Sequence, residues 1–472
     1  MCMFKSSAIT VIKNQDAYQK LSKFFYGKYY PLYLAMFTAF FYVAKLPVVG
    51  LGFLVTVAII TLICFRDLLP FMPLPMMVMQ CMSDLTFFSN PIAIILIALA
   101  GIALITHFII YPVQKIKLGK LFYPLIFVNI ALFAGGLFSP YVISYANGLS
   151  SSISVGILTL VVYLLFSNYY CPPKDFDYKE HFLYYLAVCG ALIAVELIFH
   201  TYQVSINLIK QYDMGYGNTN IVGAALLITT PAIWYFVAKA KNILPPIFGL
   251  ILSYAGVYLS KSDGSLMLSL LCLPVIVYFV LKHVNQKRRN HLIKGGLIFL
   301  MVVTVALIVI CTKHDLASTI ISYLKAFKLD SGRTPLFIEA TQLFFKYPIF
   351  GVGLGYSNPN STIPAVDGHI IAYLYNFHST FFHTVATMGV VGLVAYVIYY
   401  IARYKILLKK CDFYRITAYL SFTVMQCYGM VDACEFHALP LLMFCTLLHV
   451  TTEKANNEQQ IENLPLTDFK EF

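Results

Sequence analysis

Apolar runs long enough to cross a bilayer recur along almost the whole chain, and they constrain its fold more than any other feature. A membrane-spanning helix needs about 20 mostly apolar residues. Sixty per cent of the 472 residues are hydrophobic and 11% are charged, against about 25% charged in soluble domains. The sequence therefore predicts an all-α polytopic membrane protein and excludes a water-soluble enzyme, a disordered chain, a disulfide scaffold and a coiled coil. Thirteen candidate spans lie at 30–46, 48–66, 92–112, 122–140, 149–168, 182–201, 220–238, 243–260, 264–282, 293–312, 379–401, 413–432 and 436–450.

Lysine and arginine orient these spans, because cytoplasmic loops of membrane proteins collect positive charge. The basic N-terminus and the tail after residue 450 are expected on the same side, which requires an even number of spans. A further apolar stretch at 68–85, broken by three prolines, is either a short span or a re-entrant segment. We therefore expect about 12–14 spans. The basic loops that we interpret as cytoplasmic lie at 115–120, 239–241, 282–294 and 403–410.

The same alternation places one long polar segment, residues 313–378, on the outer face. Apolar residues at helical spacing predict two amphipathic helices in it, at 316–327 and 336–347. It also carries cations where orientation does not require them, which indicates an anionic ligand. The predicted organisation is an N-terminal transmembrane bundle (1–312), this extracytoplasmic segment (313–378), C-terminal transmembrane helices (379–450) and a cytoplasmic tail (451–472).

Ionisable residues are scarce inside the predicted spans, which argues against an ion-coupled pump but leaves a passive flippase open. Glu196 and His200, spaced i and i+4 near an outer helix end, are expected to pair with each other. The 11 cysteines show neither a CxxC motif nor a Cys/His metal spacing. We expect no metal, no cofactor and no disulfide. The net charge of +12 is attributed to loop orientation, so no nucleic-acid partner is expected.

Four short motifs follow one another between residues 331 and 393. They are Ser331-Gly332-Arg333, the turn Pro348-x-x-Gly351-x-Gly353-x-Gly355, His378, and Gly389-x-x-Gly392-Leu393. In residue type, order and spacing they resemble the signature of the O-antigen ligase and O-antigen polymerase superfamily. Asn218-x-Asn220, at the start of a span, resembles a further entry motif of that family.

Two positions depart from the family pattern. The family's histidine is commonly followed by Asn, where this chain has Ser379. A second family arginine, in an outer Ser-Arg-Gly turn, is replaced by Asp263, and the nearest cation is Lys261. A lysine can still contact phosphate as a point charge.

The resemblance implies a membrane glycosyltransferase with a helical, GT-C-like fold in the inner membrane of a bacterium. Members of the superfamily transfer a glycan from a polyprenyl-diphosphate carrier to an acceptor hydroxyl at the outer face, without a metal and with expected inversion. The acceptor is a lipid A core in ligases and another lipid-linked repeat unit in polymerases, where a chain-length regulator is a possible partner. We favour a polymerase because the second arginine is missing. A lipid-glycan flippase or exporter without bond chemistry is the alternative.

The chemistry of such a transfer assigns roles to the residues of the matching motifs. A neutral imidazole suits removal of the acceptor's proton, so His378 is the candidate general base or acceptor-orienting residue. A guanidinium suits the departing diphosphate, so Arg333 is the candidate clamp. His383 is interpreted as a packed core histidine. Further candidates for substrate binding are Lys261, Lys346, Tyr356, His369 and Asn220.

Overall fold

The computed structural model describes residues 16–81, 90–141, 148–149, 151–173, 175–205, 219–313, 333–356, 377–437 and 439–462. Within these ranges the regular secondary structure is helical, without strands. In chain order the helices are α1 (Asp16–Phe25), α2 (Tyr29–Val43), α3 (Pro47–Cys64), α4 (Pro73–Met77), α5 (Pro91–Ile110), α6 (Phe122–Ala134), α7 (Leu158–Tyr169, preceded by a π-helical turn at Ile153–Ile157), α8 (Tyr178–Ser205), α9 (Thr219–Lys239), α10 (Leu244–Leu259), α11 (Asp263–His283), α12 (Gln286–Lys313), α13 (Thr334–Lys346), α14 (Thr380–Leu407), α15 (Phe413–Gly429), α16 (Cys434–His437) and α17 (Leu439–Glu462).

Each of the thirteen candidate spans corresponds to one of these helices, so the predicted all-α polytopic membrane fold is confirmed. Within the described residues six helices, α3, α5, α8, α9, α11 and α14, are long and apolar enough to cross a membrane. Four shorter helices, α2, α6, α7 and α10, are also apolar. The number of spans stays a prediction.

Contacts between the helix connections define two ends of the bundle. At one end the Tyr26 hydroxyl donates to Asp67 (3.0 Å), the Cys171 amide donates to Asp67 (2.8 Å), and the Lys120 amide donates to Glu453 (2.8 Å). Since basic loops gather here, we call this the basic end. At the other end, which we call the far end, the Tyr42 hydroxyl lies 2.7 Å from Nδ1 of His200.

The proline-broken stretch after α3 runs from the basic end toward the far end. The Leu68 amide donates to the Tyr169 carbonyl at the basic end (3.0 Å). Cys81 packs against Gly50, in the far-end turn of α3. From Gly50 to Cys64, α3 rises about 21 Å, so residues 68–81 pass through most of the bundle with only α4 and a 3₁₀ turn as regular structure.

Burial explains how this irregular segment is tolerated. Backbone that is not helical is stable at membrane depth only where protein surrounds it, and Leu68, Met72 and Met76 are completely buried. The segment also explains why α3 and α5 run in the same direction: His107, near the end of α5, bonds the Leu62 carbonyl near the end of α3 (2.7 Å). Of the two alternatives for this stretch, the described part favours a crossing.

The expected pairing of Glu196 with His200 is wrong. His200 is bonded through Nδ1 to the Tyr42 hydroxyl of α2. Both carboxylate oxygens of Glu196 are buried and have no hydrogen-bond partner among the described residues. Helical spacing brings the two residues to one face of α8, but a neighbouring helix offers the imidazole a better-placed partner.

In the segment predicted to face outward, α13 confirms the second predicted amphipathic helix, whereas the first, at 316–327, lies outside the described residues. Ala340 and Leu343 are buried, while Phe345 on another face is 77% exposed. Phe337 of α13 stacks on Phe382 of α14, with ring centroids 4.3 Å apart. Helix α13 is therefore held directly against the helix that follows His378.

A break in α14 holds the glycine-rich turn in place. Gly389 has φ 61° and ψ −150°, a conformation that is essentially restricted to glycine. The amide of Val390 donates to the Pro348 carbonyl (2.8 Å), and the amide of Gly353 donates to the Thr387 carbonyl (2.9 Å). The turn thus replaces hydrogen bonds that the break removes from the helix.

We predict that Gly389→Ala destabilises the protein strongly. An added Cβ would lie 2.5 Å from the backbone oxygens of Pro348 and Ile349, and the backbone conformation would be strained as well. We expect a loss of at least about 2 kcal/mol, measured as a lower melting temperature in detergent. Gly101→Ala is the matched control, because a Cβ at that helical position meets nothing within 4 Å. Equal melting temperatures for both variants would contradict this account.

Candidate active site

His378 lies immediately before α14, in a strained backbone conformation. Its φ is 48°, which is uncommon for a residue other than glycine and is frequent at functional sites. Its side chain is 35% exposed, and Nδ1 lies 3.5 Å from Oδ1 of the buried Asp432. This separation is longer than a normal hydrogen bond, and the contacts of such pairs often shorten only when substrate binds. The backbone therefore aims a half-exposed imidazole at a buried carboxylate.

Asp432 is held in the turn that follows α15. Its amide donates to the Tyr428 carbonyl (3.1 Å), and its Oδ1 accepts from the Ala433 amide (2.8 Å). The Thr380 hydroxyl, two residues after His378, donates to the Asp432 carbonyl (3.4 Å). These bonds connect the start of α14 directly to the Asp432 turn.

A buried ion pair fixes the other side of the same turn. Nη1 of Arg403 donates to Oε1 of Glu435 (2.7 Å), and both side chains are almost completely buried. The guanidinium lies 4.7 Å from the Tyr399 ring centroid and 4.2 Å from that of Phe422. Gln426 donates a second hydrogen bond to Glu435 (2.8 Å). The placement of Arg403 in a basic loop was wrong, because it lies inside α14.

Arg333 is at the first end of α13, as its N-cap residue. One helical turn further on, Phe337 stacks on Phe382, which lies four residues after His378. Arg333 and His378 therefore occupy the same end of the bundle, on elements that pack together. A shallow groove of about 290 Å³ begins beside Arg333 and is lined by Thr334, Phe337, Ile338, Thr341, Gln342 and Phe382.

The structure brings Tyr356 to this site but separates Lys346 from Arg333. Tyr356 is buried and stacks on Phe377, next to His378, while its hydroxyl donates to Glu339 (3.2 Å). Tyr356 therefore supports the site by packing against the residue next to His378. Lys346 is in the last turn of α13, about 20 Å along the helix axis from Arg333. The structure therefore does not place Lys346 next to Arg333, and a role of Lys346 in substrate binding stays a prediction.

Lys261 and Asn220 are also at the far end, but on other parts of the chain. Lys261 lies in the turn between α10 and α11, with φ 53°. Its neighbour Ser262 is hydrogen-bonded through its hydroxyl to the hydroxyl of Tyr428 (2.9 Å), four residues before Asp432. Asn220 is in the first turn of α9. His369 lies outside the described residues, so its role stays a prediction.

Asp432 is the residue that the sequence interpretation missed. It lies at the end of a candidate span, and its partner His378 is 54 positions away in the sequence. The available signal was its residue type, because acidic residues in apolar segments are rare and usually functional. Glu435 and Arg403 carry the same signal. His383 is completely buried, as predicted, and packs on Phe436 of this turn at 4.6 Å.

The helical bundle and the histidine at its far end define a polytopic membrane protein with a candidate catalytic site at one end of its helices. Residues 248–397 match the family model described as O-antigen ligase. The match includes Arg333, His378 and Gly389, and it confirms the resemblance of this region to the O-antigen ligase and polymerase superfamily. Asp432 lies outside the matched region. No curated protein and no solved structure matches the chain.

We predict that Glu435→Ala destabilises the fold, because it leaves the Arg403 guanidinium buried without its carboxylate. Removing one partner of a buried pair costs about 3–5 kcal/mol. The measurement is thermal unfolding of the purified protein. Asp16→Ala is the control, because it removes the carboxylate of an ion pair with the same 2.7 Å separation on an exposed surface, where pairs contribute little. Comparable losses in both variants would show that the buried pair does not anchor the turn.

Proposed function

We propose that the chain is a membrane glycosyltransferase that transfers or polymerises a polyprenyl-diphosphate-linked glycan onto an acceptor hydroxyl. The observation that carries this proposal is that Arg333 and His378 share one end of the bundle, within the region that matches the O-antigen ligase family. The far end is proposed to face outward from a bacterial plasma membrane, because lysines and arginines concentrate at the opposite end.

In the proposed mechanism His378 removes the proton from the attacking hydroxyl. A buried carboxylate next to Nδ1 favours the tautomer that carries its proton there, which leaves Nε2 as the nitrogen that accepts the hydroxyl proton. Asp432 also stabilises the imidazolium that forms, as the carboxylate does in other histidine-carboxylate pairs. Proton transfer by such a base contributes typically 10²–10⁴-fold to a rate.

Arg333 would stabilise the negative charge that develops on the departing lipid diphosphate. Its fork of donors matches phosphate oxygens, and its N-cap position adds the positive end of the α13 dipole. A diphosphate is a good leaving group and needs no general acid. The bond between the anomeric carbon and the diphosphate oxygen breaks as the acceptor oxygen attacks from the opposite face. This single displacement gives inversion, and Arg333 supplies the charge that a metal would otherwise supply.

The proposed donor is a glycan on a polyprenyl diphosphate, and the acceptor is another glycan or a lipid-linked unit. We favour a polymerase over a ligase, because Asp263 occupies the position at which the family usually has its second arginine. Lys261 lies in that same turn, which is bonded through Ser262 to the end of α15 near Asp432. We propose that Lys261 provides the second phosphate contact and that a chain-length regulator is a partner.

We predict that His378→Ala and Arg333→Ala abolish polymer formation while both variants still insert. A purified-protein assay that measures release of free polyprenyl diphosphate should fall at least about 10²-fold for each. Arg333→Lys should retain part of the activity, because the charge remains and the fork is lost. His291→Ala and Arg289→Ala, on the basic-end part of α12, are the matched controls and should release as much polyprenyl diphosphate as the unaltered protein.

The alternative, a lipid-glycan flippase, gives the opposite result in the same assay. A flippase releases no polyprenyl diphosphate and tolerates His378→Ala. If His378→Ala retained full transport activity and the unaltered protein released no polyprenyl diphosphate, the proposal that the protein is an enzyme would be overturned.

A further inference from the structure

A groove on the surface of α14 near the basic end is separate from the candidate active site. Its volume is about 520 Å³, within the range of about 300–1,000 Å³ that small-molecule sites occupy. Val397, Ile401 and Leu408 of its lining are each about half exposed. The complete lining is Val397, Tyr400, Ile401, Tyr404, Lys405, Leu408 and Lys409.

The two lysines at the basic-end mouth of this groove lack an acidic partner. Lys405 lies in the last turn of α14 and Lys409 two residues beyond its end, and both line the groove. No carboxylate forms an ion pair with either lysine in the described ranges. The pKa of Lys409 is lowered by desolvation and by the positive charges of Lys120, Arg415 and Lys410. These cations repel one another, so an anion bound here would stabilise the cluster.

The length of the groove matches one leaflet of a bilayer. From Val397 to Leu407, where α14 ends just before Lys409, the helix rises about 15 Å, and one leaflet of a hydrocarbon core about 30 Å thick also measures about 15 Å. The apolar part therefore lies at the depth of acyl chains when the lysines lie at the level of headgroups. Lysines that only orient the protein in the membrane would not need an apolar groove next to them.

We propose that this groove binds one phospholipid with an anionic headgroup from the leaflet at the basic end. One acyl chain lies along Val397, Ile401 and Leu408, and the headgroup phosphate contacts Lys405 and Lys409. Basic pockets at the ends of transmembrane helices bind anionic headgroups in this way. The proposal is independent of the transfer reaction at the far end.

The test is native mass spectrometry of the full-length protein in detergent, with phosphatidylglycerol or phosphatidylcholine added. We expect one tightly retained phosphatidylglycerol. Lys405→Gln/Lys409→Gln should weaken its binding about thirtyfold, at the usual contribution of two lysines near an anionic surface. It should weaken phosphatidylcholine binding much less, because the choline cation of that headgroup already offsets the charge of its phosphate. Lys287→Gln/Lys294→Gln removes the same charge from α12, where no lining residue of the groove lies, and should have no effect.

A second pair of variants tests the acyl-chain part of the site with its charges intact. Ile401→Trp fills the groove and should weaken binding of both lipids, whereas Val394→Trp, on the same exposed helix but outside the lining, should not. The proposal is overturned if the α14 lysine variant binds phosphatidylglycerol like the α12 control. It is also overturned if Ile401→Trp binds like Val394→Trp, since the lysines would then be an ordinary charged surface. Melting temperatures of all four variants confirm that each is folded.

Discussion

The insertion of the Pro348–Gly353 turn into the break of α14 is the constraint on which the far end depends. A helix that breaks in a membrane loses hydrogen bonds that water cannot replace. Here the broken helix and the turn satisfy each other: Val390 and Val391 donate to the turn, and Val352 and Gly353 donate to the helix. Helix α13, which ends just before the turn, is thereby held at a fixed distance from the helix that begins after His378.

The candidate site is built from two such irregular segments. The break at Gly389 positions α13 and Arg333, and the turn after α15 positions Asp432 against His378. The second segment depends on the Arg403–Glu435 pair. Burying this pair costs desolvation energy that an apolar contact at the same place would not cost. We infer that this charged pair is retained because it holds the turn after α15 in one conformation. The site therefore relies on hydrogen bonds and charge where the rest of the protein relies on apolar packing.

The helices were predictable because about 20 consecutive apolar residues have few alternatives in a bilayer. The Arg333 and His378 motifs were predictable because they are local in sequence. Partners that depend on packing were not: His200 bonds Tyr42 of α2, 158 residues away, instead of Glu196 one turn away. Arg403 was assigned to a loop because a cation next to other basic residues indicates a helix end, and the sequence does not show that Glu435 returns into the bundle to meet it.

The buried pass between α3 and α5 has a consequence for biogenesis. Insertion machinery recognises a segment by its length and hydrophobicity, and a five-residue helix that contains two prolines is too short to be recognised as a span. The helices around it come from distant parts of the chain, because α4 contacts α2, α8 and α17. The surroundings of this pass are therefore complete only after the last helix has been synthesised, and a ribosome-bound intermediate that lacks α17 holds the pass without one of its enclosing helices.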